Sequence, residues 1–366
     1  MAQRLMVTNR IAAAAAVLTA SSEDASTPRA WAQDQLRSKA WRSKLGWNIR
    51  AGENDKLDFT EGSTGDATAT LTAGNYATGA LMATQIQTQM DAAATDNTYT
   101  VTYSSSTKKF TIARATGTDT IGLEWLTGAN TATSVGLDLG FVVSADDTGA
   151  TSYVSDSAAY KSREWLKVDL GSALAVASGF VINHNLGASG TITLQGNATD
   201  AWTSPTVDEA LGGDADIRAD YFTEQSLRWW RLLIDDVQTN TAGYSEVGVW
   251  FAGPYTEPTV CYSIGMVKRY EQLSRVAVGI SGSHFRDEGA QRPVWSMRWT
   301  ELLAADRTAL QAALFAVPRG KTFFFGFDST DATDTEYVWL VEGFSEELTT
   351  ALAYDIPVPV LSGALG

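Results

Sequence analysis

The side chains that most often carry catalysis are scarce in this chain of 366 residues. It has two histidines, His184 and His284, and a single cysteine, Cys261. A common zinc site and a Ser-His-Asp centre both depend on histidine, and these two lie in different predicted domains. One cysteine cannot form a disulfide or a cysteine-based metal site within the chain. We therefore expect no enzyme, no catalytic residue, no cofactor and no metal.

Carboxylates are plentiful, with 42 Asp and Glu residues, so neighbouring pairs alone indicate little. Asp214 with Asp216, and Asp146 with Asp147, are alternatives for a calcium site. Neither pair has the spacing of a calcium-binding loop, and solvated loops are the favoured interpretation. The sequence also has no GxGxxG after a strand and no GxxxxGK[ST] motif, which would have indicated a phosphate site.

Two side chains are candidate ligand contacts. Trp202 lies in a predicted loop, where its indole could stack on a sugar. His184 follows a predicted strand, and a hydrogen-bonding loop residue is the plain alternative to a functional role. The pair Trp229-Trp230 is a further stacking candidate, but alternation along a strand sends one of its two indoles into the core.

The elements that must position these side chains are mostly short strands. Hydrophobic residues make up 44% of the chain and charged residues 19%, which is enough to bury several cores. The 12 Trp, 12 Tyr and 13 Phe favour pleated, half-buried surfaces over helical bundles. Glycine, at 31 residues, supplies the turns that many strands need. The predicted fold class is mainly β.

The charge of the chain argues against a nucleic-acid partner. Its formal net charge is −15, whereas binding of the phosphate backbone needs clustered cations. Residues 1–50 carry eight basic and three acidic side chains, and residues 51–156 carry four and thirteen. A solvated surface is the favoured explanation of this asymmetry, and charge-complementary packing between neighbouring copies is the alternative.

The N-terminal segment has some features of a secretion signal. Its apolar run, residues 11–18, is short and rich in alanine, and Ala20-Ser21-Ser22 resembles a cleavage site. We expect the segment to remain in the mature protein, because residues 19–24 belong to a domain pattern described below. No apolar stretch has the length of a membrane span, so we expect a soluble chain.

Composition divides the chain into three regions. Residues 1–50 and 157–255 are predicted to form one discontinuous β-sandwich. Between them, residues 51–156 are rich in Thr, Ala, Gly and Asp and form an inserted α+β module. Residues 256–366 follow a proline-containing linker and form an oligomerisation domain.

The inserted module is predicted to place one helix on a small sheet. Its predicted strands are Lys56–Phe59, Ala67–Leu71, Thr98–Tyr103 and Lys109–Ala113. The run from Gly79 to Ala94 has helical spacing, with Leu81, Ile86 and Met90 on its apolar side. Compact modules with adjacent termini are tolerated within loops of a host domain.

The flanking segments have the strand pattern of a sandwich or barrel. Their predicted strands are Trp165–Gly171, Ser178–Asn183, Thr191–Gln195, Leu227–Ile234 and Val247–Phe251. Glycine and polar residues separate these runs, as turns require. Gly171 is interpreted as the end of the first of these strands.

The last region combines strands with one helix. Residues 294–299 alternate strongly, and Thr300 is a good N-cap for the helix that follows. The apolar stripe of that helix consists of Leu302, Leu303, Leu310 and Leu314. The Phe-rich run 321–327 is too apolar for a free sheet edge. It is either a strand buried on both sides or a strand that completes a sheet with a neighbouring subunit.

The split first domain resembles the galactose-binding-like, or discoidin-type, β-sandwich. The segments that carry the resemblance are Leu18–Ser22, Trp41–Ser43, Glu164–Gly171, Ile182–Leu186, Thr191–Gly196 and Arg228–Leu232. The Trp-Leu-x-Val-Asp-Leu-Gly string at 165–171 is the most specific of them. In this family ligands bind in variable loops at one end of the sandwich, so the resemblance assigns no binding residue.

The other two regions resemble parts of tailed-bacteriophage virions. The inserted module is similar to small decoration-like modules, through Thr68–Tyr76 and Asn97–Val101. The closing region resembles the sheet-plus-helix belt of distal tail and tail-tube proteins, through Trp295–Trp299, the helix opening at Thr300 and the Phe-rich strand. The resemblance implies a ring of hexameric or trimeric symmetry.

These resemblances imply a structural protein of the virion tail, in the distal-tail or baseplate ring. We expect it to assemble with copies of itself and to dock to other tail proteins such as the tail tube, the hub and the tape measure. The alternative is a minor tail protein that binds a host-surface glycan or receptor during adsorption, with Trp202 and His184 as candidate contacts. A depolymerase would be expected to show a repetitive β-solenoid, and no repeat of that kind is visible.

Overall fold

The protein is described by a computed structural model over residues 2–62, 65–117, 119–260, 266–278, 284–287, 289–318, 320–341, 347–350, 353–357 and 361–363. Cys261 lies outside the described residues. The chain is mainly β, as predicted, with antiparallel sheets and two α-helices in this part of the chain.

The strands of the first half form short, separate pieces. Before the inserted module come β1 Arg4–Met6, β2 Val17–Ala20, β3 Trp41–Arg42 and β4 Trp47–Ile49. The module itself contains β5 Lys56–Glu61, β6 Asp66–Thr70, β7 Gly74–Tyr76, α1 Gly79–Ala93, β8 Thr98–Tyr103, β9 Phe110–Thr116, β10 Ile121–Leu123, β11 Asp147–Ala150 and β12 Ser152–Val154. Short 3-10 helices lie at Arg29–Ala32, Thr131–Thr133 and Gly136–Leu139.

The second half begins with the longest strands. The sandwich continues through β13 Glu164–His184, β14 Thr191–Asn197, β15 Val207–Ala210, β16 Gly212–Gly213, β17 Ile217–Asp235 and β18 Glu246–Gly253. The last region contains β19 Val267–Gln272, β20 Arg275–Val278, β21 His284–Asp287, β22 Gln291–Ser296, β23 Arg298–Leu302, α2 Ala304–Phe315, β24 Thr322–Gly326, β25 Thr335–Leu340, β26 Glu347–Thr350, β27 Ala353–Pro357 and β28 Leu361–Gly363.

Strands β13 and β17 connect the two halves of the sandwich. They pair with each other along most of their length, with register shifts after Asp169 and after Val176. The first half of β13 also pairs with β2, and its second half pairs with β18. The prediction that Gly171 ends a strand is wrong: its φ of 75° lies within the first irregularity, and β13 continues to His184. A glycine adopts this conformation without a Cβ penalty, so the sequence resembles a turn where the structure has a bulge.

The sandwich core follows from alternation along these strands. Leu166 and Val168 of β13 face inward and are fully buried, as are Trp230 and Leu232 of β17. Trp229 points to the other face and is half-buried. The prediction that one indole of the Trp229-Trp230 pair enters the core is confirmed.

The helix of the inserted module begins and ends close to its predicted limits. The Thr78 hydroxyl accepts a hydrogen bond from the Leu81 backbone N–H at 3.3 Å, which stabilises the first turn. Met82, Ile86 and Met90 are fully buried, but Leu81 is 54% exposed. The predicted apolar side was therefore wrong at Leu81, because Met82 occupies the inward position of that turn.

The N-terminal segment contributes to more than the sandwich to which it was assigned. Strand β1 pairs with β24 in the six-stranded sheet of the last region. Strand β4 pairs with β7, and Trp47 and Ile49 pack in the core of the inserted module. Of the strands described in this segment, β2 and β3 alone join the sandwich sheet. The segment thus contributes strands to each of the three regions.

The Phe-rich run is an inner strand of the last region. In the order β1-β24-β25-β28-β22-β19, β24 has a neighbour on each side. Phe323, Phe324 and Phe325 are buried. The alternative of a strand buried on both sides is therefore confirmed, and the alternative that this run completes a neighbour's sheet is wrong.

The second helix begins later than predicted. Thr300 lies in β23, which pairs with β27, and α2 begins at Ala304 after Leu303. Residues that we predicted to begin the helix therefore form hydrogen bonds within a β-sheet instead. Leu310 and Leu314 are buried as predicted, whereas Leu303 is 59% exposed.

Candidate ligand-binding cleft

The outer face of the sandwich sheet carries aromatic and cationic side chains. Trp165 and Lys167 alternate with buried residues of β13 and therefore point outward. Lys167 pairs in register with Arg231 of β17, and Arg231 pairs with Gln195 of β14. One row across three strands thus places these side chains side by side. Trp229 extends the same face.

Trp202 lies above this row, in the predicted loop between β14 and β15. The Arg231 guanidinium carbon is 4.5 Å from the centroid of the Trp202 ring, a cation–π distance. The Trp202 indole donates to Asp200 Oδ1 at 2.7 Å, and the Lys167 ammonium donates to Asp200 Oδ2 at 2.7 Å. The loop is therefore held on the sheet by its own acidic residue.

The edge of the inserted module forms the opposite wall. Glu53 Oε2 accepts from Arg50 Nε at 2.7 Å and from the Trp165 indole at 2.9 Å. The residues of this wall and of the sheet face opposite it line a cleft of about 490 Å³, within the usual range of small-molecule sites. We call it the aromatic cleft, and define it by Arg50, Glu53, Trp165, Gln195, Trp202 and Arg231.

Arg231 is the most distinctive group in the aromatic cleft. Its Nε and Nη2 donate to Gln195 Oε1 at 2.8 and 2.5 Å. Gln195 Nε2 in turn donates to Asp208 at 2.8 Å. Within the described part of the chain, no carboxylate lies within ion-pair distance of Arg231. Burial lowers the pKa of Arg231 to about 10, so the guanidinium is still charged at neutral pH.

A buried polar cluster joins the sandwich to the inserted module beside the aromatic cleft. We call it the polar junction, and define it by Asn48, Asp138, Lys161, Arg163 and Glu164. The carboxylate of Asp138, fully buried, accepts from the Arg163 backbone N–H at 2.9 Å and from Arg163 Nε at 3.0 Å. Burial raises the pKa of Asp138, but Arg163 and the hydrogen bonds outweigh burial, so the pKa lies below its ordinary value.

In the second carboxylate of the polar junction, the effect of burial on the pKa exceeds that of the hydrogen bonds. Glu164, also fully buried, accepts from Asn48 Nδ2 at 2.6 Å and from the Ser22 hydroxyl at 3.1 Å. Burial raises the pKa of Glu164 above its ordinary value despite these partners. Lys161 donates to the Ser245 hydroxyl at 2.8 Å, and burial lowers its pKa. These contacts connect segments that are far apart in the chain.

His184 lies at the end of β13, away from the aromatic cleft. Its Nε2 is 3.2 Å from the Asp214 carbonyl oxygen, and its Nδ1 accepts from the Leu186 backbone N–H at 3.3 Å. Burial lowers the pKa of His184. These contacts are those of a hydrogen-bonding loop residue, and the structure does not bring His184 together with Trp202.

The carboxylates of the two candidate calcium pairs accept hydrogen bonds from groups within the protein. Asp214 Oδ1 accepts from the backbone N–H groups of Asp216 and Ile217 at 2.8 and 3.0 Å. Asp146 accepts from the Thr127 hydroxyl at 2.6 Å, and Asp147 from the Trp125 indole at 3.0 Å. Across the described ranges, no three or more His, Cys, Asp or Glu side chains are grouped so that they could hold a metal ion.

Membrane insertion through a helix has no candidate in the described ranges. Neither α-helix there is long and apolar enough to cross a bilayer.

Sequence reasoning found Trp202 but missed its partners. Trp165, Gln195 and Arg231 lie on predicted strands, and Arg50 and Glu53 lie near a predicted boundary. Alternation gave one usable signal, because a strand with Leu166 and Val168 inward must point Trp165 outward. The meeting of these segments depends on strand register and on the docking of the inserted module.

Comparison with known proteins leaves the family of this chain open. No protein-family model and no curated protein sequence matches it. Among solved structures, the chain is similar to chitosan-binding module 1 from a chitosanase/glucanase of Paenibacillus sp. IK-5, with 18% identity, a TM-score of 0.20, and coverage of 27% of this chain and 74% of that one. A selenomethionine-labelled variant of the same module gives 18%, 0.18, 27% and 78%. At these TM-scores the similarity does not establish a shared fold or function.

Proposed function

We propose that this protein is a structural component of a bacteriophage tail, in the distal-tail or baseplate ring. In this role it assembles with copies of itself and docks to other tail proteins. The resemblance of its closing region to tail proteins supports the place in the virion. One structural observation supports self-assembly, namely an exposed edge of the six-stranded sheet at the end opposite β1.

That edge is strand β19. It is the last strand in its sheet and pairs with β22 along one side. No described strand pairs with its other side. All six of its residues are exposed, including Val267 at 56% and Tyr270 at 65%. Val267 and Tyr270 are interspersed along this edge with the charged residues Lys268, Arg269 and Glu271. An unpaired edge offers backbone N–H and C=O groups to another chain, and the occupant that we propose is a second copy of this protein, whose antiparallel strand would set opposite charges side by side.

The oligomeric state of the purified chain tests this function. We expect native mass spectrometry and negative-stain images to show a closed ring, and Val267→Asp to shift the chain to monomers. Val142→Asp is the matched control, because Val142 is 51% exposed and lies in the inserted module; it should leave the ring intact. A wild-type chain that stays monomeric at high concentration, or a ring unchanged by Val267→Asp, contradicts the proposal.

A second candidate function is binding of a host-surface saccharide during adsorption. The aromatic cleft favours it, because two half-buried indoles, Trp165 and Trp202, line one cavity of suitable size. Aromatic faces are apolar enough to pack on sugar rings while polar groups around them satisfy the hydroxyls.

A glycan array with the full chain tests the second function. Trp202→Ala should abolish binding. Trp31→Ala is the matched control, because Trp31 is also half-buried beside a cation, with Lys39 Nζ 5.7 Å from its ring centroid, but lies outside the aromatic cleft. Absence of any bound glycan, or equal binding by both variants, contradicts this function.

A further inference from the structure

The cations around the aromatic cleft differ in how they are neutralised. Three of them have carboxylate partners within the chain. These ion pairs are Arg50–Glu53 at 2.7 Å, Arg163–Asp138 at 3.0 Å and Lys167–Asp200 at 2.7 Å. Arg231 has none among the described residues, and its partner Gln195 is neutral. Glu53, Asp200 and Asp208 act on Arg231 only from beyond ion-pair distance. Burial of a charge without a direct ion pair is unfavourable.

The Arg231 guanidinium is also fixed in position. Asp208 holds the Gln195 amide, whose oxygen accepts from Nε and Nη2 of Arg231. The ring of Trp202 covers the guanidinium at 4.5 Å. Nη1 makes no hydrogen bond within the described residues. Arg231, which lines the cavity, therefore retains N–H donors that no described residue accepts, and a carboxylate is a strong acceptor for a guanidinium.

We infer that the aromatic cleft binds an acidic saccharide, a sugar unit whose ring packs on Trp165 and Trp202 and whose carboxylate is bound by Arg231. A uronic acid has this chemistry. The inference rests on the second function proposed above and names its ligand class.

The surrounding charges favour one carboxylate per sugar unit over a polyanion. The chain has a net charge of −15, and Glu53, Asp200 and Asp208 lie around Arg231. Their negative potential opposes a densely charged chain such as a nucleic acid. A single carboxylate that contacts Arg231 directly avoids most of this repulsion.

Isothermal titration calorimetry with the full chain tests the inference. The probes are tetragalacturonate and its neutral counterpart, a galactose tetrasaccharide, at physiological ionic strength, where salt screens the long-range repulsion between the acidic chain and the acidic probe. We expect tetragalacturonate to bind at least about tenfold more tightly, because charge-assisted bidentate hydrogen bonds exceed neutral ones.

Two variants assign the preference to Arg231. Arg231→Gln should remove the difference between the two probes while weak binding of both remains. Arg228→Gln is the matched control, because Arg228 lies on the neighbouring part of the same strand but pairs with Asp169 at 2.6 Å; it should leave the preference unchanged. Thermal unfolding of both variants verifies that they are folded.

The possible outcomes distinguish the preference for an acidic ligand from saccharide binding itself. Equal affinity of the wild type for both probes, or a preference that survives Arg231→Gln, overturns the acidic ligand and leaves saccharide binding standing. Failure of the wild type to bind any saccharide, here and on the array, removes the second function and this inference together.

Discussion

The polar junction and the aromatic cleft lie next to each other, but Arg163 of the first and Arg231 of the second have different kinds of partner. In the polar junction, Arg163 meets a fully buried carboxylate, Asp138, at 3.0 Å. In the aromatic cleft, Arg231 meets the neutral amide of Gln195. Buried charges in proteins are generally paired because solvation is lost. This difference is expected if the polar junction stabilises the fold and the aromatic cleft binds the saccharide that we propose.

The largest expected effect comes from breaking the polar junction. Asp138→Ala leaves Arg163 and the Asn54 amide without their buried acceptor, and should lower the free energy of unfolding by about 3–5 kcal/mol. Chemical denaturation measures this loss. Asp169→Ala removes a partner of Arg228 that is largely solvated, and should cost less than about 1 kcal/mol. Equal losses for the two variants would contradict the comparison.

The two carboxylates of the polar junction should respond to pH in opposite directions. The folded-state pKa of Asp138 lies below its ordinary 3.8, so its contribution to stability is present above that pH and is lost as the pH falls through the folded pKa. The folded-state pKa of Glu164 lies above its ordinary 4.5, so stability decreases as the pH rises above 4.5, where the unfolded chain ionises first.

Denaturation between about pH 3 and pH 7 measures both trends. Relative to Asp138→Asn, the wild type should gain stability as the pH rises through this range. Relative to Glu164→Gln, it should lose stability as the pH rises. Slopes of the same sign for the two variants would show that the two carboxylates are not distinguished by their surroundings.

The smallest expected effect on stability comes from the aromatic cleft itself. Arg231→Gln loses two hydrogen bonds to Gln195 but also removes an unpaired, half-buried charge, so the free energy of unfolding should change by less than about 1 kcal/mol. The same substitution at Arg163 leaves Asp138 unpaired and should cost several times more. A large loss at Arg231 would mean that this arginine has a structural role like that of Arg163.

Local pattern was enough to predict much of the fold. Alternating residues identified strands β8 and β14, and helical spacing identified α1, because these elements depend on neighbours in sequence. The errors arose at positions where tertiary contacts determine where a strand ends or a helix begins. Gly171 resembles a strand end but belongs to a bulge, and Thr300 resembles a helix N-cap but is taken by strand pairing.

The aromatic cleft could be predicted only in part. Trp202 was identifiable because a tryptophan in a polar loop has little reason to be exposed. Its companions come from segments near residues 50, 165, 195 and 231, and strand register and docking of the inserted module bring them together. Within the described residues Arg231 has no direct ion pair, and this depends on how the folded chain places its carboxylates, which one sequence does not reveal.

The most direct test of this account is a structure of the full chain with tetragalacturonate bound. We predict density for a sugar ring against Trp165 and Trp202, with its carboxylate in hydrogen-bond contact with Arg231. Density in the loops at one end of the sandwich, with the aromatic cleft empty at saturating ligand, would contradict it.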